Sequence, residues 1–408
     1  MSIQHCRLCG SSDLASVVNL GNQAFTGIFP PTQHQARSLE SGPLELLLCL
    51  KCSLLQLASD FNRSLLYGDT YGYRSGLNKS MVEHLKTKYD YISRLTSLVD
   101  DDVVLDIGSN DGTLLGFFPD NLTRIGIDPS CSKYAQFYKA GIITSSTFFD
   151  EDAYKAIASK KAKVITSISM FYDLPDPLQF ALDVKSCLDD NGIWLFEQSY
   201  LPSMLRTNSY DTICHEHVEY YSLQSVKYIL DKASFRIIDV SFNNINGGSF
   251  SIVATHSHSD LVSRSCLVEW LLKSENDLAL HSPSPYRKFE ERIFRHRDRL
   301  MSMIDTIKRS SLSIYGLGAS TKGNVLLQFC GLTHSHIAGI GDVNPDKFNC
   351  FTPGSCVPIL PEEDVMLRNP DFIIILPWHF RSTFDHKLAN YISSGGKVIY
   401  PLPEIELI

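Results

Sequence analysis

Val103-Val104-Leu105-Asp106-Ile107-Gly108-Ser109-Asn110-Asp111-Gly112-Thr113-Leu114-Leu115 reads as a strand, a glycine turn and the start of a helix. A short apolar run bounded by glycines suits a parallel strand covered on both faces. Gly108 and Gly112 let the backbone come close to a ligand, and Asn110 lies between them in the turn. Asp106 ends the strand, where a carboxylate can meet a cation on that ligand. A second strand, Arg124-Ile125-Gly126-Ile127-Asp128, also ends in an acid. Asp128 lies about 20 residues beyond Asp106, the spacing at which a second-strand carboxylate grips ribose hydroxyls.

The glycine pattern discriminates between nucleotides. A dinucleotide fold has GxGxxG, with a helix N-terminus facing the pyrophosphate. Here the pattern is D-x-G-x-x-x-G, with an acid in place of a third glycine. That suits a cationic ligand without phosphate, namely S-adenosylmethionine, and the pattern resembles the first motif of class I methyltransferases. Phe148 and Phe149 follow a short strand, and either could cover an adenine ring or simply fill a core. Met170 opens a Pro-bounded loop after a further strand, at the carboxyl edge where parallel sheets bind ligands. Glu197 ends the next strand at the same edge.

The densest chemistry follows in Tyr210-Asp211-Thr212-Ile213-Cys214-His215-Glu216-His217-Val218-Glu219-Tyr220-Tyr221. Core elements are not built this way, because each buried polar group needs a partner. The stretch is an active-site candidate, with a polar surface loop as the plain alternative. His215 and His217 could instead be inert hydrogen-bonded residues, and H-x-H could bind a metal, but no third ligand lies nearby.

Cys6-x-x-Cys9 and Cys49-x-x-Cys52 are two knuckles whose four thiolates can complete a tetrahedral zinc site. Gly10 follows Cys9, as a tight knuckle turn requires, and Pro30-Pro31 must loop out between the pairs. With no open position the metal is structural, supporting a lobe too small for its own core. Eleven cysteines, only four of them paired as CxxC, point to a reducing cytoplasm rather than a disulfide framework.

A chain of 408 residues is too long for one core and predicts two or three domains. A net charge of −8 without a Lys/Arg block argues against nucleic acid as a partner. No apolar run is long enough to span a membrane. We expect a monomer. Tyr67-Gly68-Asp69-Thr70-Tyr71-Gly72-Tyr73-Arg74-Ser75-Gly76 is either a linker or a lid that supplies phenol hydroxyls. Residues 263–310 have a helical, charged pattern suited to a bridge. The strand and turn Ile314-Tyr315-Gly316-Leu317-Gly318-Ala319-Ser320-Thr321-Lys322-Gly323-Asn324 then open a second α/β unit. A lone GxGAS is a weak sign of a nicotinamide cofactor, yet it keeps an NAD(P)-dependent oxidoreductase of nucleotide sugars as the alternative function.

The CxxC…CxxC lobe, LDIGSNDGTLL, YDTICHEHVEYYSL, NINGGSF and IYGLGASTKGN, in that order, resemble the S-adenosylmethionine-dependent sugar C-methyltransferases. The resemblance covers nearly the whole chain. It implies an α/β protein of three parts. Residues 1–75 would be the zinc-binding lobe and lid, 76–260 a Rossmann-like class I methyltransferase domain, and 261–408 a Rossmann-like nucleotide-sugar domain. It implies methylation at C3 of a nucleotide-linked (dTDP or GDP) 4-keto-6-deoxyhexose, in branched deoxysugar biosynthesis. The family's proposed base falls on His217, with Glu216 beside it, and the lid match points to Tyr71 or Tyr73. Cys214 stands where many members carry tyrosine, and Asp173 where many carry histidine. Asn246 and Lys322 would contact the nucleotide sugar, Lys322 at a phosphate, with Asn324, Asn344 and Lys347 as further candidates.

The chemistry is coherent on its own terms. Carbon becomes a nucleophile when a proton leaves a position next to a carbonyl. A neutral histidine suits that task, and backbone donors or a phenol suit the enolate oxygen.

Overall fold

The computed structural model describes residues 2–61 and 73–408. Three sheets organise them. Strands β1 (Leu14–Ala24), β2 (Ser41–Cys49), β3 (Leu55–Leu57) and β9 (Glu219–Tyr220) form an antiparallel sheet in that order. The expected loop at Pro30-Pro31 is the far end of the long β1–β2 hairpin, and it meets the C-terminal region through the Phe351 N–H donating to the Pro30 carbonyl at 2.8 Å.

The central sheet has seven strands: β4 (Val103–Ile107), β5 (Thr123–Ile127), β6 (Ile142–Ser145), β7 (Ala162–Ile168), β8 (Leu188–Ser199), β10 (Phe235–Asn243) and β11 (Ser249–His256). Their order is β10-β11-β8-β7-β4-β5-β6. From β8 to β6 the pairing is parallel, whereas β11 and β10 are antiparallel additions. Every residue of β4 is buried, as its apolar run predicts. The chain moves from β4 out to β6 and then returns to β7 on the other side. That reversal is a topological switch point, where the strand ends splay to admit a ligand.

The helix Lys79–Leu95 covers one face of this sheet and is anchored by charge. Glu197 of β8, fully buried, receives His84 Nε2 at 2.6 Å and the Lys88 ammonium. Burial alone would raise Glu197, but these two partners hold it down at about 2. Glu197 therefore braces the helix to the sheet.

The third sheet has the order β14-β13-β12-β15-β16-β17, from β12 (Ile314–Leu317), β13 (Ile340–Asp342), β14 (Ile359–Pro361), β15 (Phe372–Ile375), β16 (Lys397–Tyr400) and β17 (Glu406–Leu407). All pairs are parallel except the last.

Two expected elements differ. No α-helix follows the glycine turn, only a 3-10 turn at Leu115–Phe117. Pro119 forces Phe118 into an extended conformation and stops the helix there. The expected bridging helix is two helices, Ser265–Asp277 and Ser284–Arg309, because Pro283 and Pro285 suit a new N-terminus rather than a helix interior.

Candidate active site

The four knuckle sulfurs converge. Sγ atoms of Cys6, Cys9, Cys49 and Cys52 all lie within 4.8 Å of one another. The closest pairs are Cys6–Cys52 at 3.6 Å and Cys9–Cys49 at 3.5 Å. Zinc–sulfur bonds of about 2.3 Å in a tetrahedron place thiolates about 3.8 Å apart, so the cluster fits zinc. Each knuckle closes with a left-handed residue whose N–H returns to the first cysteine's carbonyl. Gly10 (φ +68°) bonds Cys6, and Ser53 (φ +65°) bonds Cys49, each at 2.9 Å. Gly10 was legible as a knuckle residue; Ser53 carries no such signal.

At the switch point of the central sheet lies a cavity of about 360 Å³. Its cofactor-side wall contains Asp106, Gly108, Asn110, Asp128, Phe148, Phe149 and Met170. Gly108 has φ +73°, and a Cβ there would meet Met170 Cγ at 3.1 Å. Gly112 does not line the cavity. It lets the Tyr138 ring pack behind the turn, where a Cβ would sit 2.5 Å from it. Asp128 accepts the Asn110 N–H at 3.0 Å and the Ser130 N–H at 2.6 Å, so it couples the two strand-end turns. Asp106 is a buried carboxyl that accepts the Thr166 hydroxyl at 2.6 Å. Burial pushes it up to about 7 against the Thr166 bond, with the Asp128 charge adding to the rise. An acid held near neutrality by burial fits an approaching cation, and the apolar Phe148, Phe149 and Met170 fit an adenosine. This wall suits S-adenosylmethionine.

Tyr71 lies outside the described residues. Tyr73 lines the cavity at its open side and remains 44% exposed. The glycine turn holds this segment down. Asn110 accepts the Ser75 N–H at 2.9 Å and donates to the Tyr73 carbonyl at 3.2 Å, and Asp111 accepts the Gly76 N–H at 2.9 Å.

The opposite wall holds Glu216 and His217. His217 Nδ1 lies 2.8 Å from the Thr212 carbonyl. A carbonyl only accepts, so Nδ1 carries the proton and Nε2 keeps its lone pair. Burial and the Lys322 charge hold His217 down at about 3, so the imidazole is neutral at ordinary pH. Tyr172 packs on its ring with centroids 4.2 Å apart. Glu216 is buried and accepts the Thr26 hydroxyl at 3.2 Å; burial pushes its carboxyl up.

The neighbours of this pair are structural. His215 sits between Phe25 and Phe61, with centroids at 4.9 and 4.7 Å, and its Nε2 meets the Gly42 carbonyl at 3.2 Å. Cys214 is fully buried in the core behind Glu216, outside the cavity lining. Asp173 lines the cavity.

From the C-terminal region the cavity receives Lys322, Lys347 and His379, with Asn246 from the central one. Lys322 Nζ donates to the Asn246 carbonyl at 2.9 Å. Lys347 Nζ donates to the Ala319 carbonyl at 2.7 Å and lies 3.6 Å from Asp342. The structure does not bring Asn324 and Asn344 into the cavity lining. Asn324 is buried and clasps the N-terminal lobe through the Thr26 carbonyl at 2.7 Å, and Asn344 caps the turn at Asp346. Asp342 accepts the Ala319 N–H at 2.8 Å, an amide of the C-terminal glycine loop that a pyrophosphate would use. The loop is therefore poorly suited to a dinucleotide. Sequence reasoning did not single out Tyr172 or place His379 in the site; both follow strand ends, which is the signal they offered.

Comparison with known proteins defines the class. Residues 6–67 match the family model "Putative zinc binding domain", residues 80–240 match "Methyltransferase domain", and residues 244–403 match "C-methyltransferase C-terminal domain". In this order the three matches mark an S-adenosylmethionine-dependent C-methyltransferase with an N-terminal zinc-binding domain. C-methyltransferase NovU of Streptomyces niveus is 28% identical over 409 residues, spanning 100% of this chain and 97% of that protein. An S-adenosylmethionine-dependent methyltransferase of Clostridium acetobutylicum aligns with 44% of this chain and 92% of its own, at 12% identity and TM-score 0.33. One from Leishmania major aligns with 44% and 75%, at 14% identity and TM-score 0.35.

Proposed function

We propose that this C-methyltransferase methylates C3 of a nucleotide-linked (dTDP or GDP) 4-keto-6-deoxyhexose, in the biosynthesis of a branched deoxysugar. The observation that carries the reading is the His217 tautomer. Its Nδ1–H is committed to Thr212, so Nε2 is free to take a proton within the cavity that the cofactor wall also lines.

S-adenosylmethionine supplies an electrophilic methyl group and leaves as a neutral thioether. His217 Nε2 removes the proton on the carbon next to the ketone. Removal is feasible because the imidazole is neutral and fixed, a role typically contributing ~10²–10⁴-fold. Glu216, with a raised pKa, holds a substrate hydroxyl or amine at that carbon. Tyr73 and Tyr71 are the phenols assigned to the substrate. Asp106, Gly108, Asn110, Gly112, Asp128, Phe148, Phe149 and Met170 serve the cofactor, with Gly112 acting from behind the turn. Asn246, Lys322 and Lys347 face the nucleotide sugar, whereas Asn324 and Asn344 act by holding the walls.

The division at 1–75, 76–260 and 261–408 is supported by the three sheets, with β9 as the one strand shared across it. Among the described residues no helix is long and apolar enough to cross a membrane. A cytoplasmic site of action is part of this proposal, in keeping with four cysteines grouped as a metal cluster.

The test offers dTDP- and GDP-linked 4-keto-6-deoxysugars with methyl-labelled S-adenosylmethionine. Label appearing on sugar carbon C3 by NMR is expected; label on oxygen or nitrogen, or turnover of none of these sugars, removes the reading.

A further inference from the structure

Lys322 is the second residue of the helix Thr321–Phe329, and the family resemblance suggests it as a phosphate contact. Its surroundings suit a different task. The ammonium lines the same cavity as His217, Glu216, Tyr172 and His379. One of its three donors is used by the Asn246 carbonyl at 2.9 Å. Asp211 is its buried counter-charge, itself held by the Trp378 indole N–H at 2.8 Å. Burial pulls the Lys322 amine down and pushes the Asp211 carboxyl up, while each charge favours the other. The result is a buried amine held in the same cavity as His217, near enough for its charge to act on the imidazole.

That placement creates an electrostatic requirement. When His217 takes a proton it becomes a cation next to Lys322, which is unfavourable in a buried site. An anion that forms between them at the same moment offsets that cost. An enolate oxygen is such an anion, whereas a phosphate carries its charge before and after the step and gains nothing from it.

We propose that Lys322 donates to the keto oxygen of the sugar and holds the enolate oxygen that forms as His217 removes the neighbouring proton. This rests on the function proposed above. In the step, the C–H bond breaks and its proton moves to His217 Nε2. The bonding pair becomes the C=C bond, and the carbonyl π pair moves to the oxygen facing Lys322. The carbonyl then re-forms as the carbon takes the methyl from the sulfonium, whose C–S pair stays on sulfur. The proton on His217 passes to solvent.

The experiment compares wild type with Lys322→Met at saturating cofactor. It records kcat, KM, and exchange of the sugar's C3 hydrogen in deuterium oxide with S-adenosylhomocysteine bound. We expect kcat and exchange to fall together by ~10²–10³-fold, the loss typical of one oxyanion donor, with KM changed little. Loss of the Lys322 charge also relieves His217, so the acid limb of kcat moves to higher pH. Asp211 and His379 also feel the Lys322 charge and shift in the same comparison, whereas Glu216, Asp173 and Tyr172 keep their other partners, so the deciding readouts are kcat and deuterium exchange. A raised KM with unchanged kcat and exchange identifies a phosphate contact and overturns the proposal. Zinc content and S-adenosylmethionine affinity report folding. Should Lys322→Met fail these, Lys322→Arg carries the same comparison. A guanidinium keeps the charge but places its donors differently, so kcat and exchange are expected to fall together by ~10-fold while affinity for the free nucleoside diphosphate is unchanged. Weakened nucleoside diphosphate affinity with kcat and exchange at wild-type level overturns the proposal. Wild type that neither exchanges nor methylates any keto-sugar removes the functional reading itself, a separate outcome.

Discussion

Leu55 pairs with Tyr220 across an antiparallel bridge, so the segment just after His217 is a strand of the zinc lobe's sheet. The lobe therefore positions the loop that carries Glu216 and His217. Arg7, next to Cys6, reinforces this by donating to the Leu57 carbonyl at 2.7 Å, on the strand that β9 joins. Removing zinc should then disable chemistry as well as destabilise the lobe. Cys49→Ser is expected to lose zinc and soluble yield, with a Tm lower by about 10 °C in the fraction recovered. Its methyl transfer should be negligible. Metal analysis and calorimetry check this; a stable zinc-free protein with normal turnover would show that the lobe is dispensable.

Gly27 approaches Glu216 so closely that a Cβ would lie 2.6 Å from Oε1. Gly27→Ala must push the Glu216 carboxyl away from its Thr26 partner and into the cavity. We expect kcat/KM for the sugar to fall ~10-fold or more, while S-adenosylmethionine binding stays near wild type because the cofactor wall is untouched. Titration calorimetry and steady-state kinetics separate the two effects. Equal kcat/KM in the variant would mean that Glu216 has no part in catalysis.

The cofactor wall was readable because its parts are local: an apolar run, two glycines and an acid lie within one turn of chain. The substrate wall was not readable to the same degree. Thr26 meets Glu216 from 190 positions away, and Asn324 meets Thr26 from 298. No local pattern announces such contacts, so Asn324 was assigned to substrate when it holds the lobes together. The helix expected after Gly112 is absent for a local reason, Pro119, which holds Phe118 extended and ends the turn.

Asp106 links cofactor affinity to pH. Its carboxyl stands at about 7 in the free protein, raised chiefly by burial. A cationic ligand favours the ionised form and lowers that value. Above about pH 7 the carboxylate is already ionised and binding is strongest. Below it, binding must expel a proton, so Kd should rise by up to ~10-fold per pH unit. S-adenosylhomocysteine, which lacks the sulfonium charge, should show a shallower slope. Asp106→Asn should bind S-adenosylmethionine more weakly and without this pH dependence. Calorimetry between pH 5.5 and 8.5 decides it; a flat wild-type profile would place the sulfonium away from Asp106.

His215 and His217 stand two residues apart and should answer substitution in opposite ways. His217 faces the cavity with a free Nε2, so His217→Asn removes the proposed base but keeps an amide that can reach Thr212. Methyl transfer should fall by ~10²–10⁴-fold with Tm and cofactor affinity nearly unchanged. His215 packs between Phe25 and Phe61 and bonds Gly42, far from any reacting atom. His215→Ala should cost about 2–4 kcal/mol through the lost packing and the unpaired Gly42 carbonyl. The folded fraction should keep a kcat within about threefold of wild type, because Glu216 and His217 are held by their own partners, Thr26 and Thr212. Denaturant melts and active-site titration measure the two quantities independently. If the His215 variant instead loses kcat at full stability, the first histidine is the base and the tautomer argument at His217 fails.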